Sequence, residues 1–414
     1  MPSSTVTPAS FSMTALERRA SVSLAFIFAL RMLGLFLVLP VFALEAARYP
    51  GGGDAARVGL ALGVYGLTQA CLQIPFGLAS DRLGRKRVII AGLLVFAVGS
   101  FTCAAATDLN GLLMGRALQG AGAVSAAVTA LLADLTRDEV RTKAMALVGG
   151  SIGLMFALSL VLAPALNARI GLSGLFVMTG VLAFAGILTV WRLVPPEPVR
   201  HVVRTPGSLA DVLRQRDLVG LNFGVFILHA VQLSMWVAVP ALLVQAGLLK
   251  ALHWHVYLPA VLASFVVMGA TLFPLERRGY LRAVLLAAIA LLVVVQLGFL
   301  AITMLSTNAA TAPSLGFLGI LLLLFFCSFN VLEASQPSLV SRLAPEPLRG
   351  AALGLYNTAQ SLGLFAGGLL GGALLQWGTA SALFATTAAM SLLWWWVAFK
   401  FMPAVASRQA LRPV

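Results

Sequence analysis

The stretch Gly77-Leu78-Ala79-Ser80-Asp81-Arg82-Leu83-Gly84-Arg85-Lys86-Arg87 places five charged residues between two long apolar runs. Glycine near each end lets helices approach closely and lets the chain reverse, and the Asp81 carboxylate can accept from Arg85 or lie at a helix N-terminus. A loop that only sets membrane orientation needs basic charge but not this spacing. We therefore predict a tight, charged turn between two membrane helices.

The composition on both sides of this turn indicates a membrane protein. Of the 414 residues, 60% are hydrophobic and 10% are charged, with mean hydropathy +0.97. A soluble domain carries about 25% charged residues. This excludes a soluble enzyme and a disordered chain, and the long apolar blocks exclude a β-barrel, which needs alternating polar and apolar residues. The predicted fold class is an all-α membrane protein.

Apolar runs bounded by charges, proline and glycine predict twelve transmembrane helices. The longest polar connection divides them six plus six, giving an N-terminal bundle (1–193), a linker (194–217) with a short amphipathic helix over Ser208 to Arg216, and a C-terminal bundle with a short basic tail (218–414). The twelve predicted spans are 20–44, 58–78, 88–106, 110–133, 144–166, 171–193, 218–245, 255–275, 281–303, 315–339, 350–374 and 380–402.

The two bundles repeat each other in sequence. Asp81 to Arg87, after the second span, is echoed by Glu276 to Arg282 after the eighth. Arg141 to Leu147, before the fifth span, is echoed by Arg349 to Leu355 before the eleventh. Two pseudo-symmetric six-helix bundles are a transporter architecture, and its substrate site is expected near the midplane between them.

The distribution of basic residues predicts the orientation in the membrane. Loops on one side hold 22 of the 28 Lys and Arg residues and loops on the other side hold 4. By the positive-inside rule both termini are cytoplasmic. This bias explains the net charge of +14 without a nucleic-acid partner. The three cysteines lie in apolar runs on different spans, so we expect neither a disulfide nor a metal site.

These motifs resemble the major facilitator superfamily. Its loop signature is matched by Gly77, Asp81, Arg82, Gly84, Arg85 and Lys86, and Arg116-Ala117-Leu118-Gln119-Gly120 is similar to its R-x-x-Q-G element. In the fifth span, the pattern of Gly150, Ser159 and Ala163-Pro164 is similar to the antiporter signature, with Ser and Ala where Gly is usual. Small residues and a proline kink are kept, although the Gly identity is not.

Longer stretches resemble the drug:proton antiporter family within that superfamily, among them Leu30 to Gly34, Tyr65 to Ala70 and Asp134 to Arg137. The resemblance implies a bacterial inner-membrane protein and a cytoplasmic gate in which Asp134 pairs with the Asp81 and Arg85 turn. One member of the family has a cytoplasmic ferredoxin-like domain after its last helix. The short basic tail ending at Val414 predicts none here.

Three charged residues inside spans are candidates for proton coupling: Glu333, Arg116 and Arg31. An intramembrane Arg costs roughly 2.5–3.5 kcal/mol on insertion scales, so each should face water or a partner. Desolvation of Glu333 would favour its protonated form, as a proton carrier requires. The structural alternatives stay open: Arg31 as a tie between helices, and Glu333 as a neutral hydrogen-bonded group.

Sparse polar side chains on otherwise apolar faces are candidates for the substrate cavity. Such walls suit a hydrophobic or amphiphilic compound better than a sugar or small anion, and any of these groups can instead form interhelical hydrogen bonds. The candidates are Tyr65, Gln69, Gln119, Asn222, His229, Gln232, Trp236, Asn330, Tyr356, Asn357 and Gln360.

The sequence therefore predicts a secondary transporter that uses alternating access, with proton-coupled efflux and a role in drug resistance. A proton-linked importer or a facilitator would share the fold. A membrane enzyme or sensor should show a catalytic or metal-ligand cluster, and the sequence has neither; it also lacks a G-x-x-x-x-G-K loop for ATP. We expect no cofactor other than the proton gradient, and a monomer surrounded by lipid.

Overall fold

The computed structural model describes residues 12–197, 209–305, 313–345 and 348–401. A short 3₁₀ helix, Lys250–Leu252, lies in one loop. The α-helices of these ranges are α1 (Ala15–Phe36), α2 (Leu39–Ala46), α3 (Ala55–Leu83), α4 (Arg85–Ala105), α5 (Leu109–Ala121), α6 (Ser125–Asp134), α7 (Asp138–Arg192), α8 (Leu209–Leu213), α9 (Arg216–Gln245), α10 (Trp254–Arg277), α11 (Leu281–Leu305), α12 (Leu315–Leu343), α13 (Arg349–Trp377) and α14 (Ala380–Phe401).

The twelve predicted crossings are confirmed. Among the described residues, eleven segments are long and apolar enough to span a membrane, and one of them is the 50-residue stretch Lys143–Arg192. Gly171, with φ 67° and ψ 179°, divides that stretch into two helices. Two others of the eleven are broken helices that count once each: α1 with α2, and α5 with α6. The helices from α1 to α7 therefore supply the first six crossings. The helices from α9 to α14 supply the remaining six.

The first and fourth crossings are broken, where the sequence predicted continuous helices. α1 ends at Phe36 and α2 begins at Leu39, just before Pro40, which has no N–H to continue the helical hydrogen bonds. α5 ends before Gly122, whose ψ of 49° is not helical. The amphipathic linker helix is shorter than predicted, at Leu209–Leu213, and its neighbours 198–208 and the basic tail 402–414 lie outside the described residues.

Successive crossings bring the charged loops to one membrane face, which we call the basic face. It holds the turn between α3 and α4 and the turn between α10 and α11, with Arg85 and Arg282. The other face, the opposite face, holds the loop 47–54 and the segment around Lys250. Within the first half α1 and α4 pack on α7, and within the second α11 packs on α14 and α10 on α12.

The two halves meet mainly through α3 of the first and α13 of the second. A Cβ added to Gly63 would lie 2.7 Å from the Phe365 carbonyl oxygen, and one added to Gly368 would lie 2.7 Å from the Gly63 nitrogen. Gly59 and Gly372 make the next such contact toward the opposite face. Backbone therefore lies against backbone over this part of the interface, which only small residues allow.

Closer to the basic face, the sides of α3 and α13 that contact each other elsewhere are no longer in contact. Gly354 precedes Ser361 and Gly368 on one side of α13, yet nothing in the described chain lies within 4 Å of a Cβ placed there. On α3, Gly77 continues the side of Gly63, and its only neighbour is Ala126 of the first half, at 3.7 Å. The halves are thus joined at the opposite face and open at the basic face.

We expect Gly63→Ala to destabilise the protein, because the new methyl group has no room against the α13 backbone. Overpacking costs about 1–3 kcal/mol. Gly354→Ala on the open part of α13 is the matched control, and it should be neutral or stabilise by up to about 1 kcal/mol through helix propensity. Thermal unfolding of the purified variants in detergent measures both. Equal unfolding temperatures for the two variants would contradict the close contact.

Candidate functional site

Arg85 organises the charged turn between α3 and α4. Its Nη2 lies 2.8 Å from Asp81 Oδ1, its Nε lies 3.1 Å from Asp134 Oδ2, and its Nη1 donates to Ser80 Oγ at 2.7 Å. The structure thus brings together the three residues Asp81, Arg85 and Asp134 of the predicted gate. These contacts all lie within the first half, on the basic face, where the halves are apart.

The two glycines of the turn have different roles. Gly84 has φ 95°, a left-handed conformation that other residues rarely adopt, and it separates α3 from α4. Gly77 makes no close helix contact here, since its nearest neighbour is at ordinary van der Waals distance. Arg82 is exposed to the surroundings.

The Glu197 carboxylate, which the sequence analysis did not single out, holds the linker against this turn. It accepts from the backbone N–H of Arg85 at 3.0 Å and of Lys86 at 2.6 Å, so it caps the N-terminus of α4. Lys86 Nζ also donates to the Val194 carbonyl at 2.6 Å. The sequence signal was a lone acidic residue between Pro196 and Pro198 in a basic linker.

The arginines inside the first half are tied to neutral groups. Arg31, which is 2% exposed, donates to Ser125 Oγ (2.9 Å), Tyr65 OH (2.8 Å) and Gln69 Oε1 (3.3 Å). These contacts join α1 to α3 and α6. They correspond to the structural alternative for Arg31, a tie between neighbouring helices.

Arg116 lies on the other side of Tyr65. Its guanidinium carbon is 4.9 Å from the centre of the Tyr65 ring, and Nη1 donates to Gln119 Oε1 at 2.9 Å. Gln119 in turn donates to Ser100 Oγ at 2.8 Å. Gly120, on the same face, contacts the Tyr65 carbonyl. Tyr65, Gln69 and Gln119, which we predicted as cavity residues, therefore serve as partners of the two buried arginines.

Glu333 lies in the second half, in a different cluster from the arginines. Its Oε1 accepts from Gln360 Nε2 at 3.2 Å, and its Oε2 is 3.5 Å from His229 Nε2. Gln360 Nε2 is also 2.7 Å from His229 Nε2. Three predicted site residues from α9, α12 and α13 thus meet. The Glu333 side chain is 32% exposed and the His229 side chain is 5% exposed, so Glu333 is the more accessible of the two, although its Oε2 atom is buried.

An aromatic seam lies next to this cluster and crosses between the halves. Phe156 of α7 contacts Phe36 of its own half, with ring centres 5.1 Å apart. It also contacts Phe326 and Phe329 of α12, at 6.1 and 5.9 Å. Phe329 is one helical turn from Glu333 on the side of the opposite face, and its ring is 5.9 Å from the His229 ring. The seam therefore lies between Glu333 and the opposite face along α12.

The remaining predicted cavity residues are spread over the second half. Asn330 Nδ2 donates to Ser264 Oγ at 2.8 Å, an interhelical bond. Trp236 is buried edge-on against Tyr257, with ring centres 5.5 Å apart. Gln232 and Tyr356 are buried, whereas Asn222 and Asn357 are partly exposed. The Trp236 indole N–H and the Tyr356 hydroxyl have no hydrogen-bond partner among the described residues.

Two polar contacts join the halves at the opposite face, and neither was predicted from the sequence. Lys250 Nζ of the second half lies 3.2 Å from Glu45 Oε1 of the first. The Gln376 side chain accepts from the Ala55 backbone N–H at 2.7 Å. Glu45 and Lys250 are 205 positions apart, so no local pattern could pair them.

Comparisons with known proteins agree with this architecture. The profile of the Major Facilitator Superfamily matches residues 24–338. The chain is 42% identical over 394 residues to the inner membrane transport protein YajR of Escherichia coli K12. The alignment covers 94% of this chain and 84% of that protein. It is 28% identical to the multidrug resistance protein MdtH of Aeromonas hydrophila, over 83% of this chain and 84% of that protein.

Solved transporters share the fold at low sequence identity. A crystal structure of a bacterial homologue of the human lysosomal transporter Spinster, in an inward-facing and occupied conformation, superposes with a TM-score of 0.71 at 13% identity. The alignment covers 94% of this chain and 98% of that one.

Proposed function

The chain belongs to the major facilitator superfamily, whose members are membrane transporters, and we propose that it exports small hydrophobic or amphiphilic compounds in exchange for protons. The observation that carries this proposal is the position of Glu333. It is a partly exposed carboxylate inside the membrane, bonded to Gln360 and next to His229, on the side of the aromatic seam that opens to the basic face. A carboxylate whose hydration changes as the halves rock can load and release a proton.

The orientation of the protein is part of the proposal. The basic face carries 22 of the 28 Lys and Arg residues in its loops and would be cytoplasmic. The described conformation, open at that face, would then take up substrate from the cytoplasm. Both termini would lie in the cytoplasm of a bacterial cell, with the protein in the inner membrane.

The class of substrate follows from the walls beside Glu333. Phe156, Phe326 and Phe329 place aromatic rings from both halves next to Glu333; the rings are buried against one another here and would line the cavity when the halves rock apart. Such a lining favours an apolar or amphiphilic compound. The printed name of the Aeromonas relative, a multidrug resistance protein, supports export of this kind of compound.

The charged turn would act as the gate at the basic face. In the state closed there, α13 must approach α3 near Gly77 and Gly354, which are now apart. The Asp81 carboxylate, 51% exposed and paired with Arg85, is placed to contact the approaching second half. The turn would thus stabilise the state that is open to the other side.

Asp81→Asn tests the gate. Losing a charge-assisted contact costs about 1–3 kcal/mol, so the closed state should be less populated and the transport rate should fall while insertion and folding stay normal. Transport of lipophilic cations and neutral drugs in proteoliposomes measures the rate. Arg82→Gln, at an exposed position of the same turn, is the control and should transport normally. Normal transport by Asp81→Asn would reduce the turn to an orientation signal.

Glu333→Gln tests proton coupling. The amide keeps the shape and the contact with Gln360 but cannot carry a proton, so an imposed pH gradient should no longer drive accumulation, while binding of the same compounds persists. Glu276→Gln is the control, since that carboxylate pairs with Arg342 near the basic face, away from the cluster. The proposal fails if Glu333→Gln still concentrates the compounds against a gradient at the wild-type rate. The direction of the imposed gradient that drives uptake also separates an exporter from an importer.

A further inference from the structure

The hydrogen bonds of His229 fix where its imidazole can gain a proton. His229 Nδ1 lies 2.9 Å from the Val225 carbonyl oxygen. A carbonyl only accepts, so Nδ1 carries a hydrogen in this arrangement. The second ring nitrogen, Nε2, is then the atom that gains or loses a proton. That atom faces Gln360 and Glu333.

The neutral form of the imidazole satisfies all three side chains. The Gln360 amide has two hydrogens, and its Nε2 donates one to His229 Nε2 at 2.7 Å and the other to Glu333 Oε1 at 3.2 Å. Each of the two amide hydrogens of Gln360 therefore has its own acceptor. Gln360 therefore bridges α9 and α12 as long as His229 Nε2 has no hydrogen.

Protonation of His229 breaks this bridge. An Nε2–H and an amide N–H cannot both donate across 2.7 Å, so the Gln360 amide must withdraw or turn its oxygen toward His229, and in both cases its N–H groups leave their present acceptors. The imidazolium N–H then has a partner in Glu333 Oε2, 3.5 Å away, which has no hydrogen bond to any described residue. The same carboxylate loses its bond from Gln360.

Gln360 lies on the helix that joins the two halves. The neighbouring Ser361 carbonyl contacts Gly66 of α3, at the end of the close α3–α13 contact nearest the basic face. On its other side, α13 lies against the α9 backbone, where Gly363 meets the Phe226 carbonyl. A change in the side chain of Gln360 therefore acts where the joined part of the interface begins.

We infer that His229 and Glu333 form one shared proton site, and that Gln360 transmits its protonation to the α3–α13 contact. This inference rests on the proposed proton coupling at Glu333 and adds a second proton-binding group and a positioning residue. The proton comes from water at the open face, forms the Nε2–H or carboxyl O–H bond, and returns to water on release.

The other titratable and charged groups on the helices that pack around His229 and Glu333 are the following. The Tyr356 phenol of α13 is close enough to Glu333 for an electrostatic interaction. The charged groups on the helices that pack against α9, α12 and α13 lie at or near helix ends: Glu45 of α2, Arg57, Asp81 and Arg82 of α3, Asp211 of α8, Arg216 and Asp217 of α9, Glu276 and Arg277 of α10, Arg282 of α11, Arg342 of α12, Arg349 of α13 and Lys400 of α14.

Spin labels at the opposite face test the inference without a substrate. Gly53→Cys and Leu249→Cys place one exposed label in each half, in a chain in which the exposed Cys71 is replaced by serine. Pulsed electron paramagnetic resonance then measures the distance between the labels in the full-length protein in nanodiscs. Because protonation weakens the α3–α13 contact, the long-distance population should grow between about pH 8 and about pH 5.

His229→Asn should lose this pH response, because its amide can still donate to the Val225 carbonyl but cannot take up a proton. His255→Asn, at an exposed position outside the cluster, should keep it. If His229→Asn is not monodisperse, Gln360→Leu is the second test. Leucine cannot bond to His229 or Glu333, so protonation of these residues should no longer affect α13. A wild-type pH response in either of these cluster variants overturns the inference.

Glu333→Gln separates the two proposals. If it loses the response while His229→Asn keeps it, Glu333 carries the proton alone, so the inference fails and the proposed function stands. If Glu333→Gln keeps the full response, or the wild-type protein shows none, the inference fails, and transport by Glu333→Gln decides the proposed function separately. Loss of the response in both the His229→Asn and Glu333→Gln variants supports a shared site.

Discussion

The backbone contact between α3 and α13 is the constraint on which the arrangement of the two halves depends. Lipid gives no hydrophobic drive for helices to associate, so close packing and hydrogen bonds must hold them together. Gly63 and Gly368 allow that packing near the opposite face, and the Glu45–Lys250 pair adds a polar contact there. The two helices make no such contact at Gly77 and Gly354, and the protein is open there, at the basic face.

The polar groups of the two halves differ in kind. The first half buries Arg31 and Arg116 among hydroxyl and amide partners around Tyr65. Arginine stays charged in proteins, so these are fixed charges that hold helices together. The second half places Glu333 beside His229, a carboxyl and an imidazole that are both able to bind a proton. We infer that the first half is mainly scaffold and the second carries the proton chemistry.

The sequence predicted the crossings because long apolar runs leave little choice of structure in a membrane. It did not predict the breaks before Pro40 and at Gly122, since a proline or a glycine inside an apolar run is also found in membrane helices that continue. The pairing of Arg85 with Asp81 follows from four-residue spacing on one turn. The pairing of Arg85 with Asp134 came only from the family resemblance.

The site could be predicted only in part, because it is formed by contacts between residues that are far apart in the sequence. His229, Glu333 and Gln360 were each predicted as site residues, because a polar group in an apolar face is visible in the sequence. Their meeting was not predicted, since helical periodicity shows which side a residue occupies and not which helix lies against it. For the same reason Glu333 was grouped with the two arginines, which the structure instead places around Tyr65. The Glu197 contact spans 112 positions and was missed entirely.

The halves are joined at the opposite face and open at the basic face, which we propose is cytoplasmic. Labelling of Gly354→Cys by a membrane-impermeant maleimide tests this arrangement most directly, with Cys71 replaced by serine and Gly53→Cys as the control for the opposite face. We expect Gly354→Cys to react in inside-out vesicles and not in intact spheroplasts, and Gly53→Cys to show the reverse. Reaction of Gly354→Cys from the outside alone, or from neither side, would contradict the account.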